Sequence, residues 1–255
     1  MNTKLQNAIN LYMEGIRDGN YIEAINKYTG DQYRQHSTGV KDGKEGFIEF
    51  FGDFVKRCPE RDIQIIRGWE DGQYVFVQAY QNINNGFREW VTTDFFDTDD
   101  QNRMIEHWDV ISRYSESNPS GRSNIDGPTE ITDLDKTEEN KALVRDLIEN
   151  VLMKGGDLNR VDDLIAEEYI QHNKEVGDGL AAFKEKLFAP DRQLWYDEIV
   201  LLTGSGNFVS TLSRATFGPK EYAQVDIFRV ENGKVVEHWD NAEPVPEVSV
   251  NSGKF

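Results

Sequence analysis

The sequence contains a single cysteine among its 255 residues and has no long apolar run. One cysteine, Cys58, cannot form a disulfide within the chain. The first residues lead into an amphipathic pattern instead of the apolar core of a signal peptide. No run of 18 apolar residues occurs, and a membrane-spanning helix is therefore not predicted. These absences together predict a cytoplasmic protein.

Basic residues are also scarce, because 28 lysines and arginines stand against 46 aspartates and glutamates. A formal net charge of −18 argues against nucleic acid or an anionic membrane as a partner, since both carry negative charge. Hydrophobic residues make up 38% of the chain, and 11% of the residues are aromatic. This composition suffices for two modest hydrophobic cores.

The sequence repeats itself. Glu106–Asp109 reads Glu-His-Trp-Asp, and the same tetrapeptide returns as Glu237–Asp240. Tyr33–His36, which reads Tyr-Arg-Gln-His, matches Tyr169–His172, and an Asp-Gly pair follows each copy. The copies are separated by 136 and 131 residues, and all four histidines of the chain are paired in this way. The chain is therefore predicted to be a tandem duplication of one small domain.

Each half changes its hydrophobic period from that of helices to that of strands. Apolar residues at spacings of three and four predict three helices per half, at 5–16, 22–28 and 47–54 and at 143–152, 158–165 and 183–188. Alternation then predicts about four strands, which in the first half are 61–65, 74–81, 90–96 and 104–111. The predicted fold class is α+β, with three helices packed on a curved antiparallel sheet in each domain. An Asn-Gly pair at Asn232 predicts a tight hairpin turn.

The domain limits follow from the composition. A stretch rich in serine and poor in aliphatic residues begins after Tyr114, which is typical of a linker. We predict a first domain at 1–114, a linker at 115–136, a second domain at 137–246 and a tail at 247–255.

The repeated tetrapeptide contains residues suited to acid–base chemistry. On a strand, His107 and Asp109 point to one face, whereas Glu106 and Trp108 point to the other. The neighbouring strand supplies an aspartate and a phenylalanine, and the first histidine of each half can reach the same space. The candidate site residues are therefore His36, Asp94, Phe96, His107 and Asp109 in the first half, and His172, Asp226, Phe228, His238 and Asp240 in the second.

Other interpretations of these residues stay open. A strand histidine bonded to an aspartate is often a satisfied polar pair of the core, and duplication by itself shows only common ancestry. A remote histidine with His-x-Asp is chemically adequate for a two-histidine, one-carboxylate metal site. Since a remote third ligand can be found in almost any chain, no metal is predicted. The sequence contains no phosphate-binding glycine loop and no paired-cysteine motif, and no cofactor is predicted.

The order of Tyr-x-Gln-His, Asp-Gly, a Phe-rich helix, Asp-x-Phe and Glu-His-Trp-Asp resembles the SnoaL-like polyketide cyclase family of the nuclear transport factor 2-like superfamily. The resemblance covers both halves and implies cone-shaped domains, each with a deep apolar pocket. Its better-known members close polyketide rings by an aldol-type reaction without a cofactor. Carried over, the catalytic residues are His107, Asp109, His238 and Asp240, with His36 and His172 at the pocket mouths. Whether Asp94 and Asp226 act instead as the acid–base groups is left open.

Two functions follow from this resemblance. The first is a cofactor-free cyclase or isomerase that removes a proton next to a carbonyl of a small apolar substrate. The alternative is a non-catalytic module for ligand binding or assembly. Domains of this superfamily commonly pair through their sheets, and the strand at Tyr74–Val77 is apolar on both faces. We therefore expect the two domains to form an intramolecular pseudo-dimer, so that the protein is a monomer.

Overall fold

The computed structural model describes residues 2–255, which divide into two compact units. Unit 1 contains the residues up to Arg113 together with Pro246–Phe255, and unit 2 contains Tyr114–Val245. No helix in residues 2–255 is both long and apolar enough to cross a membrane.

Unit 1 consists of helices packed on a five-stranded sheet. Its helices are α1 (Lys4–Asn10), which continues as a π-helical segment at Leu11–Arg17, α2 (Tyr21–Tyr28) and α3 (Gly43–Arg57). Its strands are β1 (Thr29–Gln35), β2 (Arg61–Asp71), β3 (Tyr74–Ile83), β4 (Arg88–Thr98) and β5 (Met104–Arg113). The strand order is β1-β5-β4-β3-β2, in which β1 runs parallel to β5 and the other neighbours are antiparallel.

Unit 2 repeats this arrangement. A 3-10 turn at Leu134–Lys136 leads into α4 (Thr137–Leu147), which continues as a π-helical segment at Ile148–Leu152. A second 3-10 turn at Leu158–Arg160, α5 (Val161–Leu164) and α6 (Leu180–Leu187) follow. The strands are β6 (Ile165–Gln171), β7 (Leu194–Ser205), β8 (Phe208–Phe217), β9 (Lys220–Glu231) and β10 (Lys234–Pro244), in the order β6-β10-β9-β8-β7.

Local sequence explains several of these boundaries. The Thr3 side chain accepts a hydrogen bond from the amide of Gln6 at 3.1 Å, which caps α1. Asn232 and Gly233 both have positive φ, 51° and 73°, as a two-residue hairpin of the mirror-image type requires. The hairpin predicted at this Asn-Gly pair between β9 and β10 is therefore confirmed. Along α3, Phe47 and Phe54 are buried in the core of unit 1.

The α+β fold class is confirmed, but each sheet has one strand that the sequence did not reveal. β1 was overlooked because its sequence, Thr-Gly-Asp-Gln-Tyr-Arg-Gln, contains no aliphatic residue. β6 starts at Ile165, where a helix was expected to end. The predicted second helix of that half is only a 3-10 turn followed by four α-helical residues.

These overlooked strands position the candidate sites. In the parallel pairing of β1 with β5, Gln35 lies beside His107 and Arg34 beside Glu106. The backbone amide of His36 continues the pairing and donates to the carbonyl oxygen of His107 at 2.9 Å. Unit 2 repeats the register, with Gln171 beside His238.

Two segments without strands are packed into the units, and we call them straps. The C-terminal strap, residues 246–255, belongs to unit 1. The connecting strap, residues 114–127, belongs to unit 2, where Asn118 donates to the carbonyl oxygen of Gln171 at 2.6 Å. The segments predicted as a linker and a tail thus make specific contacts, whereas the domain limits inferred from the sequence stay a prediction.

Candidate functional site

Unit 1 contains a cavity of about 450 Å³ between the helices and the sheet. Its wall is mostly apolar, and His107 and Asp109 supply polar groups to it. The apolar lining residues include Leu11, Ile16, Phe47, Phe50, Phe51, Phe54, Ile83, Phe87, Trp90, Phe96 and Ile111. A cavity of this volume and character is typical of a site for a small apolar molecule.

Asp94 lies behind the cavity wall and forms hydrogen bonds with the side chains of Tyr12 and His107. It is fully buried, and its Oδ1 accepts the hydroxyl of Tyr12 at 2.7 Å and lies 2.9 Å from Nε2 of His107. The other carboxyl oxygen, Oδ2, is buried and has no hydrogen-bond partner among residues 2–255. Burial raises the pKa of Asp94 above its ordinary value, which the hydrogen bond and charge of His107 offset only in part.

Gln35 fixes the orientation of the His107 ring. Its side-chain oxygen accepts the amide N–H of Ser37 at 3.1 Å and lies 2.7 Å from Nδ1 of His107. Because that oxygen can only accept, Nδ1 must carry the hydrogen of this contact. Nε2 of His107 and Oδ1 of Asp94 consequently share one proton, which lies either on the imidazole or on the carboxyl group. With both nitrogens occupied, His107 has no free N–H for a ligand.

Asp109 is the carboxylate that lines the cavity, and its two oxygens have different partners. Ser37 donates its hydroxyl to Oδ2 at 2.6 Å, and the ammonium of Lys254 donates to Oδ1 at 3.2 Å. Burial tends to raise the pKa of Asp109, but the charges of Lys254 and His107 and the hydrogen bonds from Ser37 and Lys254 outweigh it. The pKa of Asp109 therefore lies below its ordinary value, and the group is ionised at neutral pH.

Two tyrosine side chains add hydroxyl groups to the polar part of the cavity. Tyr12 and Tyr33 both line it, and both are buried. Burial, together with the negative charge of Asp94, raises the pKa of each phenol well above its ordinary value. Both hydroxyls therefore keep their hydrogen at neutral pH and remain hydrogen-bond donors.

His36 was expected at the mouth of this cavity, and the structure places it elsewhere. Consecutive residues of a strand point to opposite faces, so Gln35 faces the cavity and His36 faces away from it. The imidazole of His36 stacks on Trp108, with ring centroids 5.0 Å apart, and its Nε2 lies 2.8 Å from Glu106. His172 repeats this on Trp239 and Glu237. Neither histidine lines the cavity of its unit.

The remaining candidate residues divide into two groups. His107, Asp109 and Phe96 line the cavity of unit 1, and His238, Asp240 and Phe228 line that of unit 2. Asp94 and Asp226 do not line them, because each is fully buried behind its histidine.

Unit 2 repeats the polar network around a smaller cavity of about 140 Å³. Nδ1 of His238 lies 2.9 Å from the side-chain oxygen of Gln171, and its Nε2 lies 3.0 Å from Asp226. The tyrosine that donates to Asp226, at 2.9 Å, is Tyr196 of β7. In unit 1 the corresponding hydroxyl comes from the π-helical segment that follows α1. The same contact is thus made from different elements.

The carboxylate that lines the cavity of unit 2, Asp240, differs from Asp109 in its partners. It accepts the side-chain amide of Asn173 at 2.6 Å, and that of Gln224 at 3.5 Å. Burial, the largest influence, raises the pKa of Asp240 above its ordinary value despite the opposing charge of His238. The two units therefore pair similar histidines with carboxylates of opposite pKa displacement.

Asp94, His107 and Asp109 also have the spacing of a metal site, since one ligand atom of each lies within 4.8 Å of the others. Tyr12 and His107 already bond Oδ1 of Asp94, and the other two residues have the partners described above. The ammonium of Lys254 beside Asp109 would moreover repel a divalent cation. We therefore assign no metal to this group.

Several residues of the site were not identified from the sequence. Gln35 and Tyr33 belong to the Tyr-x-Gln-His motif. If this stretch is taken as a strand, alternation places both side chains on the same face of the sheet. Ser37 directly follows the motif. Tyr12 and Lys254 are remote in sequence, and no local pattern connects them with Asp94 or Asp109.

Comparison with known proteins gives one family and several partial structural likenesses. Residues 144–238 match the SnoaL-like domain family model. No curated protein matches the chain. A candidate polyketide cyclase of Bacillus cereus ATCC 10987 is 18% identical, with 43% of this chain and 74% of that chain covered and a TM-score of 0.38. IdmH of Streptomyces antibioticus, a candidate polyketide cyclase, is 14% identical, with 44% and 93% covered and a TM-score of 0.38. A candidate ketosteroid isomerase of Kribbella flavida is 20% identical, with 44% and 84% covered and a TM-score of 0.36.

Proposed function

We propose that unit 1, which repeats the motifs of the SnoaL-like match at residues 144–238 of unit 2, binds a small apolar carbonyl compound and moves a proton next to its carbonyl group. The observation that carries the proposal is the cavity of about 450 Å³ in which an ionised carboxylate, Asp109, meets a mostly apolar wall. The cavity of unit 2 is below the usual range for small-molecule sites, and we assign the chemistry to unit 1.

In this proposal Asp109 is the general base. It takes a proton from the carbon next to the carbonyl, and the electron pair of that C–H bond moves to the carbonyl oxygen to form an enolate. The proton can then return to another carbon, which is an isomerisation. Alternatively, the enolate carbon adds to a second carbonyl of the same molecule, and the oxygen of that carbonyl takes the proton back from Asp109, which completes an aldol-type ring closure. The apolar wall excludes water and strengthens each of these electrostatic interactions.

The enolate oxygen needs a hydrogen-bond donor, and His107 has no free N–H for this task. Tyr33 faces the same cavity and retains its phenolic hydrogen, as described above. We therefore assign enolate stabilisation to the Tyr33 hydroxyl. Gln35 and Asp94 hold the imidazole ring of His107 in place, and the proton shared by His107 and Asp94 stays near Asp109.

The second candidate function is a non-catalytic ligand-binding or assembly module. The contacts of Ser37 and Lys254 with both oxygens of Asp109 favour it, because they also satisfy this buried carboxylate without any ligand.

We further propose that the chain is a monomer whose two sheets pair as an intramolecular pseudo-dimer, as expected from its two tandem domains. The sequence of β3 supports this, because Val75, Phe76 and Val77 place apolar side chains on both faces of the sheet and the face away from the helices needs a cover.

Deuterium exchange into a simple ketone separates the two functions. The probe is 2-acetylnaphthalene, whose methyl protons lie next to its only carbonyl, and 2-ethylnaphthalene is the matched compound without that carbonyl. Binding of both is measured by NMR, and exchange of the methyl protons is followed in deuterated buffer. An enzyme accelerates exchange above the buffer rate. Binding of the ketone without accelerated exchange supports the non-catalytic module instead.

A further inference from the structure

Lys254 is the penultimate residue of the chain, and its side chain is inside unit 1. Only 5% of the residue is exposed, and its ammonium lies 3.2 Å from Oδ1 of Asp109 and 3.4 Å from the hydroxyl of Thr38. A buried ammonium group is costly unless a negative charge compensates it. Asp109 supplies this charge at the wall of the cavity.

The rest of the C-terminal strap brings Lys254 to this position. The side-chain amide of Asn251 donates to the carbonyl oxygens of Ser37 and Val40, both at 2.8 Å. Ser252 donates its hydroxyl to Asp42 at 3.0 Å. The carbonyl oxygen of Gly253 lies 2.6 Å from Nδ1 of His36. The strap is thus attached to the loop that directly follows β1.

Unit 2 shows that this attachment does not require a buried lysine. In the connecting strap, Asn118 donates to the carbonyl oxygens of Gln171 and Val176, as Asn251 does in unit 1. The basic residue that follows, Arg122, forms an ion pair with Asp178 at 2.8 Å. Asp240 has amide partners in place of a lysine. The lysine–carboxylate contact therefore occurs in the unit with the large cavity.

We propose that Lys254 is a positioning residue of the unit 1 site, which holds the Asp109 carboxylate in the orientation needed for proton abstraction. The inference rests on the proposed function, since it concerns the residue assigned there as the base. Lys254 holds Oδ1 while Ser37 holds Oδ2, and each oxygen keeps a second lone pair for a substrate proton. The C-terminal strap is accordingly a part of the site.

Lys254 also opposes the other charges near Asp109. The titratable groups facing Asp109 are Tyr12, Tyr33, Asp94, His107 and Lys254. Repulsion between the carboxylates of Asp94 and Asp109 opposes ionisation of the pair, whereas the charges of His107 and Lys254 favour ionised Asp109. The two phenols are uncharged at neutral pH. After burial, the charge of Lys254 has the largest influence on the pKa of Asp109, and it lowers that pKa. Removal of this charge should make Asp109 a carboxyl group that titrates at higher pH.

The test is the titration of the Asp109 side chain by NMR in full-length protein with ¹³C-labelled aspartate and no ligand. The Asp109 resonance is assigned by its loss in Asp109→Asn. Lys254→Met removes the charge but keeps the length of the side chain, and Lys254→Arg keeps the charge. We expect the midpoint to rise by about one to three pH units in Lys254→Met and to return towards the wild-type value in Lys254→Arg.

Arg122→Met is the matched control, because it breaks the ion pair of the equivalent strap and should leave the Asp109 midpoint unchanged. An unchanged midpoint in folded Lys254→Met would overturn the inference and make the strap a structural anchor only. If Lys254→Met does not fold, the ¹⁵Nζ resonance of Lys254 is compared in wild type and Asp109→Asn. A displaced signal supports the contact, and an unchanged one contradicts it. Because no ligand is used, neither result decides whether the protein binds or turns over a ketone.

Discussion

The side-chain oxygen of Gln35 lies 2.7 Å from Nδ1 of His107, its neighbour in the parallel pairing of β1 with β5. Gln171 and His238 repeat this relationship at 2.9 Å in unit 2. The glutamine of Tyr-x-Gln-His and the histidine of Glu-His-Trp-Asp are thus one hydrogen-bonded pair. This pairing explains why the two motifs occur together in each half of the sequence.

Loss of that pair should destabilise unit 1. Gln35→Leu leaves Nδ1 of His107 and the amide of Ser37 buried without their acceptor, and we expect a loss of about 1–3 kcal/mol in the free energy of unfolding. Gln32→Leu, on an exposed position of the same strand, is the control. Urea denaturation measures both variants. Equal stability of the two variants would show that the Gln35 contact contributes little.

Removal of the charge from Asp109 should destabilise the protein at neutral pH, whereas removal of the charge from Asp240 should not. Asp109→Asn leaves the ammonium of Lys254 buried without a negative partner, at a cost of about 3–5 kcal/mol. Asp240→Asn relieves a carboxyl whose pKa burial raises, so that variant should be as stable as wild type or more stable.

Calorimetry of the full chain measures this difference. The double variant Asp109→Asn with Lys254→Met should recover part of the loss, since it removes both charges. Destabilisation by Asp240→Asn as large as that by Asp109→Asn would contradict the assigned electrostatics.

Acidification provides a separate test of Asp109. Its pKa is lowered in the folded state, so its ionisation stabilises the fold above the ordinary aspartate pKa. This contribution is lost as the pH falls through the lowered pKa, that is, below about pH 4. The stability difference between wild type and Asp109→Asn should therefore be constant near neutrality and shrink in acid. A stability difference between the two proteins that grows on acidification would contradict a lowered pKa of Asp109. Urea denaturation at a series of pH values gives the curve.

The association state tests the predicted pairing of the two sheets. A chain that pairs its own domains leaves no sheet face for a second chain, and we predict a monomer at all accessible concentrations. Light scattering coupled to size-exclusion chromatography gives the molar mass directly. A dimeric mass would indicate that the sheets pair between chains.

The sequence was most informative where a residue's position depends on local alternation. Strand parity alone predicted that His107 and Asp109 share one face, and the structure places both at the cavity. Alternation was not applied to His36, because no strand was predicted between residues 28 and 47. On a strand, the same rule directs Gln35 inwards and His36 outwards. Alternation could not predict the position of Lys254, because its contact with Asp109 depends on how a segment 145 residues away folds back.

The repeated motifs also could not predict the difference in volume between the two cavities. Both halves carry the same tetrapeptide, yet the cavities measure about 450 and 140 Å³. Volume depends on which side chains fill the space between helix and sheet, and the repeated motifs do not include most of those residues. The two carboxylates also acquire different partners, because Ser37 stands where unit 2 has Asn173.

The central claim is that proton transfer occurs in unit 1, with Asp109 as the base. The most direct measurement compares deuterium exchange into the methyl group of 2-acetylnaphthalene by wild type, Asp109→Asn and Asp240→Asn, each checked for folding by calorimetry. The account predicts that Asp109→Asn lowers the protein-dependent rate by at least about 100-fold, the usual minimum for loss of a general base. Asp240→Asn should lower it far less. Equal rates in wild type and folded Asp109→Asn, or a loss confined to Asp240→Asn, would contradict the account.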